Sequence, residues 1–134
     1  MSSTGLTTRL TPHQNQMLKA LEMCDGAISA QDLHIRLCSD YKTLGLATVY
    51  RGLEVLKLHG LVQSRISIKG EFLYGTVQKH QHYVTCLRCH ESITIDDCPV
   101  CKLEAELEQK FSFKVFFHTL DFFGLCVFCQ ATDA

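Results

Sequence analysis

Apolar residues recur at helical spacing through the first half of this chain. Met17, Leu18 and Leu21 share one side of a segment that opens at Thr11-Pro12-His13-Gln14. Thr11 can cap it, proline suits the first helical position, and Gln14 completes a capping box. The pattern predicts a helix to about Cys24, ended by Asp25-Gly26. Ser29 caps a second helix, with Asp32 three residues on and Ile28 placed to staple against Leu33. Leu33 and Leu37 face inward, and this helix stops near Ser39-Asp40. A third helix begins after Gly45. Leu46, Val49, Leu53 and Leu56 make its apolar stripe, opposite Thr48, Tyr50, Arg51, Glu54 and Lys57. His59-Gly60-Leu61 supplies a glycine C-cap and a hydrophobic anchor. Val62 to Ile68 and Glu71 to Val77 then read as two strands of a hairpin across Lys69-Gly70.

Three helices and a hairpin make the winged helix-turn-helix pattern. Its recognition helix needs one face for the core and one with donors and an aromatic for the major groove. Thr48, Tyr50 and Arg51 are the candidates for base and phosphate contacts, with Lys57 and the wing residue Lys69 adding backbone contacts. A merely solvated polar face would have the same appearance. Charge adds little: the chain is −1 overall, with +2 in residues 1–78 and −3 in residues 79–134. A nucleic-acid footprint must therefore be a local patch.

The second half carries the chemistry. His80, His82 and His90 flank a Cys86-x-x-Cys89 unit, with Tyr83-Val84-Thr85 as a β-favouring run between them. His80 and His82 are two apart, so on an extended segment both rings leave the same face. Ser92-Ile93-Thr94-Ile95 is a second strand, and Cys98-Pro99-Val100-Cys101 opens a helix with Leu103 and Leu107 on its apolar side. Phe113 to Phe123 reads as a long strand apolar on both faces, which implies cover from a second subunit. It carries His118 and leads to Cys126-x-x-Cys129.

With 134 residues, the chain can hold one domain or two small ones, and 46% hydrophobic residues exclude a mainly disordered chain. No apolar run approaches a membrane span, and the N-terminal residues lack a signal-type apolar core, so a cytoplasmic protein is expected. Eight cysteines in such a chain point to metal or redox chemistry, not to a disulfide framework. Cys86, Cys89, Cys126 and Cys129 pair as a structural zinc site, since both units follow a strand end where a thiolate knuckle forms. Cys98-Pro-x-Cys101 has three readings: a redox dithiol at a helix start, a source of metal ligands, or a helix cap. The second is favoured, with Cys101 completing a sensor set of His80, His82 and His118 that suits zinc better than iron(II). His13, His34 and His59 read as surface or capping residues, and Cys24 and Cys38 as small half-buried apolar ones.

Leu10-Thr11-Pro12, Gly45-Leu46-Ala47-Thr48-Val49-Tyr50-Arg51, His80-x-His82-x-x-x-Cys86-x-x-Cys89, His118 and Cys126-x-x-Cys129 together resemble the ferric uptake regulator family, its zinc-sensing branch in particular. The resemblance covers essentially the whole chain. It implies an α+β protein: a winged helix-turn-helix domain (residues 1–77), then a small α/β dimerisation domain (residues 78–134) with a structural four-cysteine zinc. It implies a homodimer on double-stranded DNA at an A/T-rich inverted repeat, and two zinc ions per subunit, one structural and one regulatory. Cys101 stands where the family commonly has glutamate, which turns the expectation from iron to zinc. A further family site is not expected, because its positions are Ala27 and Gly75 here. The function implied is zinc-responsive repression of zinc-uptake genes. Alternatives are an iron- or peroxide-responsive member, or a thiol switch using Cys98 and Cys101. A zinc deaminase is disfavoured, since the His-x-Glu and Pro-Cys-x-x-Cys order is absent.

Overall fold

The computed structural model describes residues 9–38, 44–77 and 82–132. Its first half holds α1 (Pro12–Glu22), β1 (Ile28–Ser29), α2 (Ala30–Cys38), α3 (Leu46–Leu58), β2 (Val62–Ile66) and β3 (Phe72–Thr76). The capping box forms as read from the sequence: Gln14 N–H donates to Thr11 Oγ1 at 3.1 Å, and Thr11 N–H to Gln14 Oε1 at 3.0 Å. Asp32 N–H donates to Ser29 Oγ at 3.1 Å. The stripes of the three helices close on one core of Met17, Leu21, Leu33, Leu37, Val49, Leu53, Leu56, Val62 and Tyr74. Each large side chain taken fully from water there contributes about 1.5–3 kcal/mol.

The hairpin β2–β3 pairs Val62 with Thr76 and Ile66 with Phe72. Both strands are shorter than their apolar pattern, because residues 67–71 form the turn. Ser67 Oγ accepts from the backbone of Lys69 and Glu71, and Gly70 takes φ +82. A two-residue β1, too short to read from sequence, adds to the other edge of β3 through Ile28 and Tyr74.

α3 ends as its glycine predicts. Leu61 N–H reaches Leu56 C=O at 3.0 Å and Gly60 N–H reaches Lys57 C=O at 2.9 Å, with Gly60 at φ +73. A second reason for glycine appears only in three dimensions. A Cβ at position 60 would lie 2.7 Å from Cδ1 of Phe116, so the end of α3 sits directly on that ring.

The second half holds β4 (His82–Cys86), β5 (Ser92–Ile95), α4 (Cys101–Phe111), β6 (Asp121–Gly124) and α5 (Val127–Thr132), with strand order β5-β4-β6. β5 runs antiparallel to β4, and β6 runs parallel to it. The strand expected over Phe113–Phe123 is corrected here: among the described residues only its last part pairs. Register explains this, because Tyr83 meets Asp121 and its N–H reaches Leu120 C=O at 3.3 Å, so residues 113–119 extend past the described end of β4. Their apolar residues serve other contacts, Phe116 under Gly60 among them.

Among the described residues, one ion pair joins the two halves. Arg65 on β2 donates to Asp121 Oδ1 on β6 at 2.8 Å, with its guanidinium 4.2 Å from the Tyr83 ring centroid. The two side chains are only 21% and 13% exposed. Removing one partner strands a mostly buried charge, whereas removing both does not. Arg65→Met is therefore expected to cost about 2 kcal/mol in urea unfolding, with Arg65→Met/Asp121→Asn recovering most of it. A double-variant loss equal to the sum of the Arg65→Met and Asp121→Asn losses would show that the pair is not coupled.

Candidate metal centres

Cys86 ends β4, and the turn that follows returns Cys89 to it, with His90 N–H on Cys86 C=O at 3.0 Å. His90 takes φ +68 to close that turn, which gives this histidine a backbone role. Cys126 follows β6 and Cys129 lies in the first turn of α5. The parallel pairing sets the two strand ends side by side, with Leu87 N–H on Gly124 C=O at 2.8 Å. The four sulfurs of Cys86, Cys89, Cys126 and Cys129 consequently lie within 4.8 Å of one another. Cys89 Sγ and Cys126 Sγ are 3.9 Å apart. Zinc–sulfur bonds of ~2.3 Å give a tetrahedral edge of about 3.8 Å, so the set fits a closed thiolate site.

The four thiols are unlike one another. Backbone N–H groups of Cys126 and Cys89 point at Cys86 Sγ, both at 3.5 Å, and lower its pKa to about 5. Burial, reinforced by hydrogen bonds to the neighbouring sulfurs, pushes Cys129 up to about 12. One thiolate is thus prepared by the fold, while Cys129 needs a cation to lose its proton. The distinction drawn from sequence between knuckles and helix starts does not hold, because α5 begins at Val127 and Cys126-x-x-Cys129 straddles a helix start too.

A second cluster lies at the other end of β4. His82 is buried at 2% exposure, and its ring stacks on that of His118, with centroids 4.9 Å apart. His118 Nε2 is 3.3 Å from His82 Nε2 and 3.3 Å from Cys98 Sγ. Zinc–nitrogen bonds of ~2.0 Å give a nitrogen–nitrogen edge of about 3.3 Å, matching the two histidines, and the three ligand atoms lie within 4.8 Å of one another, close enough to share one ion. His118 Nδ1 turns the other way, to Glu104 Oε2 at 2.6 Å.

Of the four residues expected as the sensor set, the structure brings His82 and His118 together, and His80 lies outside the described residues. Cys101 is the exposed first residue of α4, and the sulfur beside the histidines is Cys98. The two thiols share a hydrogen bond, which lowers Cys98 and pushes Cys101 up to about 11. Burial lowers the basicity of His118, but hydrogen bonds to Glu104 and Cys98 outweigh it, and the net shift is upward. Sequence reasoning missed Glu104. Its signal was an acid three residues after Cys101, on the same helical face.

The polar face of α3 is a continuous arc, with Arg51 and Glu54 near its middle and Thr48 and Lys57 at its edges. Arg51 donates to Thr48 Oγ1 at 3.2 Å, Lys57 pairs with Glu54 at 3.5 Å, and Tyr50 is exposed. Lys69 stands apart at the hairpin tip. Among the described residues, no helix is long and apolar enough to cross a membrane.

The profile of the ferric uptake regulator family matches residues 5–123. A zinc uptake regulation protein of Mycobacterium tuberculosis is 33% identical over 132 residues, covering 98% of this chain and all of that protein. A ferric uptake regulation protein of Synechococcus elongatus is 28% identical over 126 residues, covering 91% of this chain and 86% of its own length. The crystal structure of the Vibrio cholerae ferric uptake regulator superposes with a TM-score of 0.59 at 28% identity, covering 88% of this chain and 92% of that one. With a winged helix, a sheet that groups four cysteines, and His82, His118 and Cys98 clustered at its far end, this chain belongs to the ferric uptake regulator family and is a metal-responsive transcriptional regulator.

Proposed function

We propose that this regulator responds to zinc and represses genes for zinc uptake, binding an A/T-rich inverted repeat as a homodimer in the cytoplasm. Residues 1–77 are the DNA-reading unit and residues 78–134 the dimerising one, with two zinc ions per subunit. The observation that carries the reading is a sulfur among the sensor histidines: Cys98 Sγ lies 3.3 Å from His118 Nε2. Thiolates select zinc over harder cations, and iron(II) favours nitrogen and oxygen ligands. The name of the M. tuberculosis relative agrees with that choice.

The structural site consists of Cys86, Cys89, Cys126 and Cys129. For the regulatory site we assign His82, His118 and Cys98, with His80 the remaining candidate and Cys98 in the place expected for Cys101. An ion bound there would tie β4, the segment carrying His118 and the turn before α4 into one body. That body lies beside the Arg65–Asp121 link to the wing, so closing it favours one posture of α3 over others. Thr48, Tyr50 and Arg51 then meet bases and phosphates, and Lys57 and Lys69 meet the backbone.

Fluorescence anisotropy on such a repeat, with buffered zinc, iron(II) and manganese(II), tests this. Zinc alone is expected to switch binding on, Cys98→Ser to abolish the switch, and Cys101→Ser to keep it within about tenfold, or roughly 1.4 kcal/mol of coupling. An equal response to iron(II) would overturn the zinc assignment. Loss of the switch in Cys101→Ser with a normal Cys98→Ser would move the ligand to Cys101.

A further inference from the structure

We infer that Glu104 is the positioning residue of the regulatory site, holding His118 in the one tautomer that can face a metal. The inference rests on the assignment of His82, His118 and Cys98 to that site. A neutral imidazole carries a single N–H, and an ionised carboxylate can only accept. Glu104 Oε2 lies 2.6 Å from His118 Nδ1, so in the neutral ring, the form that ligates a metal, the proton sits on Nδ1. Nε2 is left with its lone pair, and this is the atom 3.3 Å from both His82 Nε2 and Cys98 Sγ. The ring is thus fixed in tautomer as well as in orientation.

α4 makes this contact in two places. Glu108, one turn beyond Glu104, accepts from the Val115 backbone N–H at 2.9 Å. It anchors the extended segment three residues before His118 and delivers the ring to Glu104. The two acids share a helical face at i and i+4. A helix with no buried residue of its own therefore grips the metal-facing segment by two carboxylates. A carboxylate behind a ligating histidine also raises the donor strength of the distal nitrogen, and loss of such a partner costs about 10- to 100-fold in metal affinity.

The test uses the full chain with its four-cysteine zinc in place. Zinc affinity of the second site is read by competition with a chelator, and the His118 tautomer by nitrogen-15 NMR before that site is filled. Glu104→Ala is expected to weaken zinc about 10- to 100-fold and to mix the two tautomers. Glu104→Gln still offers an oxygen to Nδ1–H, so it should keep the tautomer and recover most of the affinity. The inference is overturned if Glu104→Ala binds within twofold of the parent chain. It also falls if Gln and Ala lose affinity equally with the tautomer unchanged. Complete loss of second-site zinc in Glu104→Ala would make Glu104 a ligand, not a positioning residue, and would equally overturn it. Normal zinc binding by His82→Ala and His118→Ala would bring down the site assignment itself, and the inference with it.

Discussion

Cys126→Ser is expected to abolish DNA binding and to unfold residues 82–132 while leaving the winged helix intact. The reason is the small share of the second half that is buried. Among its described residues those buried are His82, Thr85, Cys86 and Cys129, and two of these four are zinc ligands by our assignment to the structural site. α4 buries nothing, and Val84, Ile93, Phe113, Phe122 and Phe123 are all exposed in the single chain. Structural zinc in small thiolate sites supplies about 10–16 kcal/mol of apparent folding energy, more than a core of this size provides. The first half has its own closed core and should survive. Circular dichroism should then show loss of the α4 and α5 helix signal together with that of β4–β6, and hydrogen exchange should show protection confined to residues 9–77. A Cys126→Ser chain that keeps its β4–β5 amides protected would show that the site does not hold this half together. Strong chelators should reproduce the variant slowly, because Cys86 is buried and Cys129 nearly so.

Charge placed on the open face of β4 and β6 is expected to separate the dimer. Val84, Ile93, Phe123, Leu125, Val127 and Phe128 line a groove of about 470 Å³. Ile93 is 65% exposed and Phe128 79% exposed in the single chain, an apolar surface of the kind that marks an interface. Ile93 and Val84 face each other across the β4–β5 pair, so they present one apolar patch. Phe122 pairs with Val84 on the same face, and two central hot-spot residues at about 2 kcal/mol each make Ile93→Glu with Phe122→Glu expected to weaken dimerisation by about a thousandfold. Sedimentation at micromolar concentration should show a monomer that retains its thiolate zinc. Binding to a full inverted repeat should fall to the level of a half-site. A variant that still sediments as a dimer would place the contact elsewhere.

The legible parts of this fold are those decided locally. Thr11 and Gln14 answer each other within one turn, and Gly60 and Leu61 end α3 through bonds to residues at most five back. What escaped depends on partners far along the chain. β1 exists because β3 offers it an edge, and α5 because β6 lays the chain beside β4. The segment 113–120 has the apolar alternation of a strand, yet it serves Gly60, Glu108 and Glu104 instead. Cysteine spacing pointed to the right two units for the four-sulfur cluster. It could not tell Cys98 from Cys101, because three residues span almost one helical turn and either can be turned toward a neighbour. The backbone path before α4 decides, and that path has no simple sequence signature.

Gly60 and Phe116 carry a consequence for how the signal is scaled. Phe116 lies two residues from His118, about 7 Å of extended chain, and its ring is the seat on which the recognition helix ends. No side chain intervenes at position 60, so there is little slack between the seat and the helix backbone. The contact is short and direct, one ring against one turn of backbone. On the proposed assignment, threshold would be set by how tightly His82, His118 and Cys98 hold their ion, and gain separately by the contact of Phe116 with the end of α3. A lineage can retune the concentration it responds to without redesigning the movement that follows.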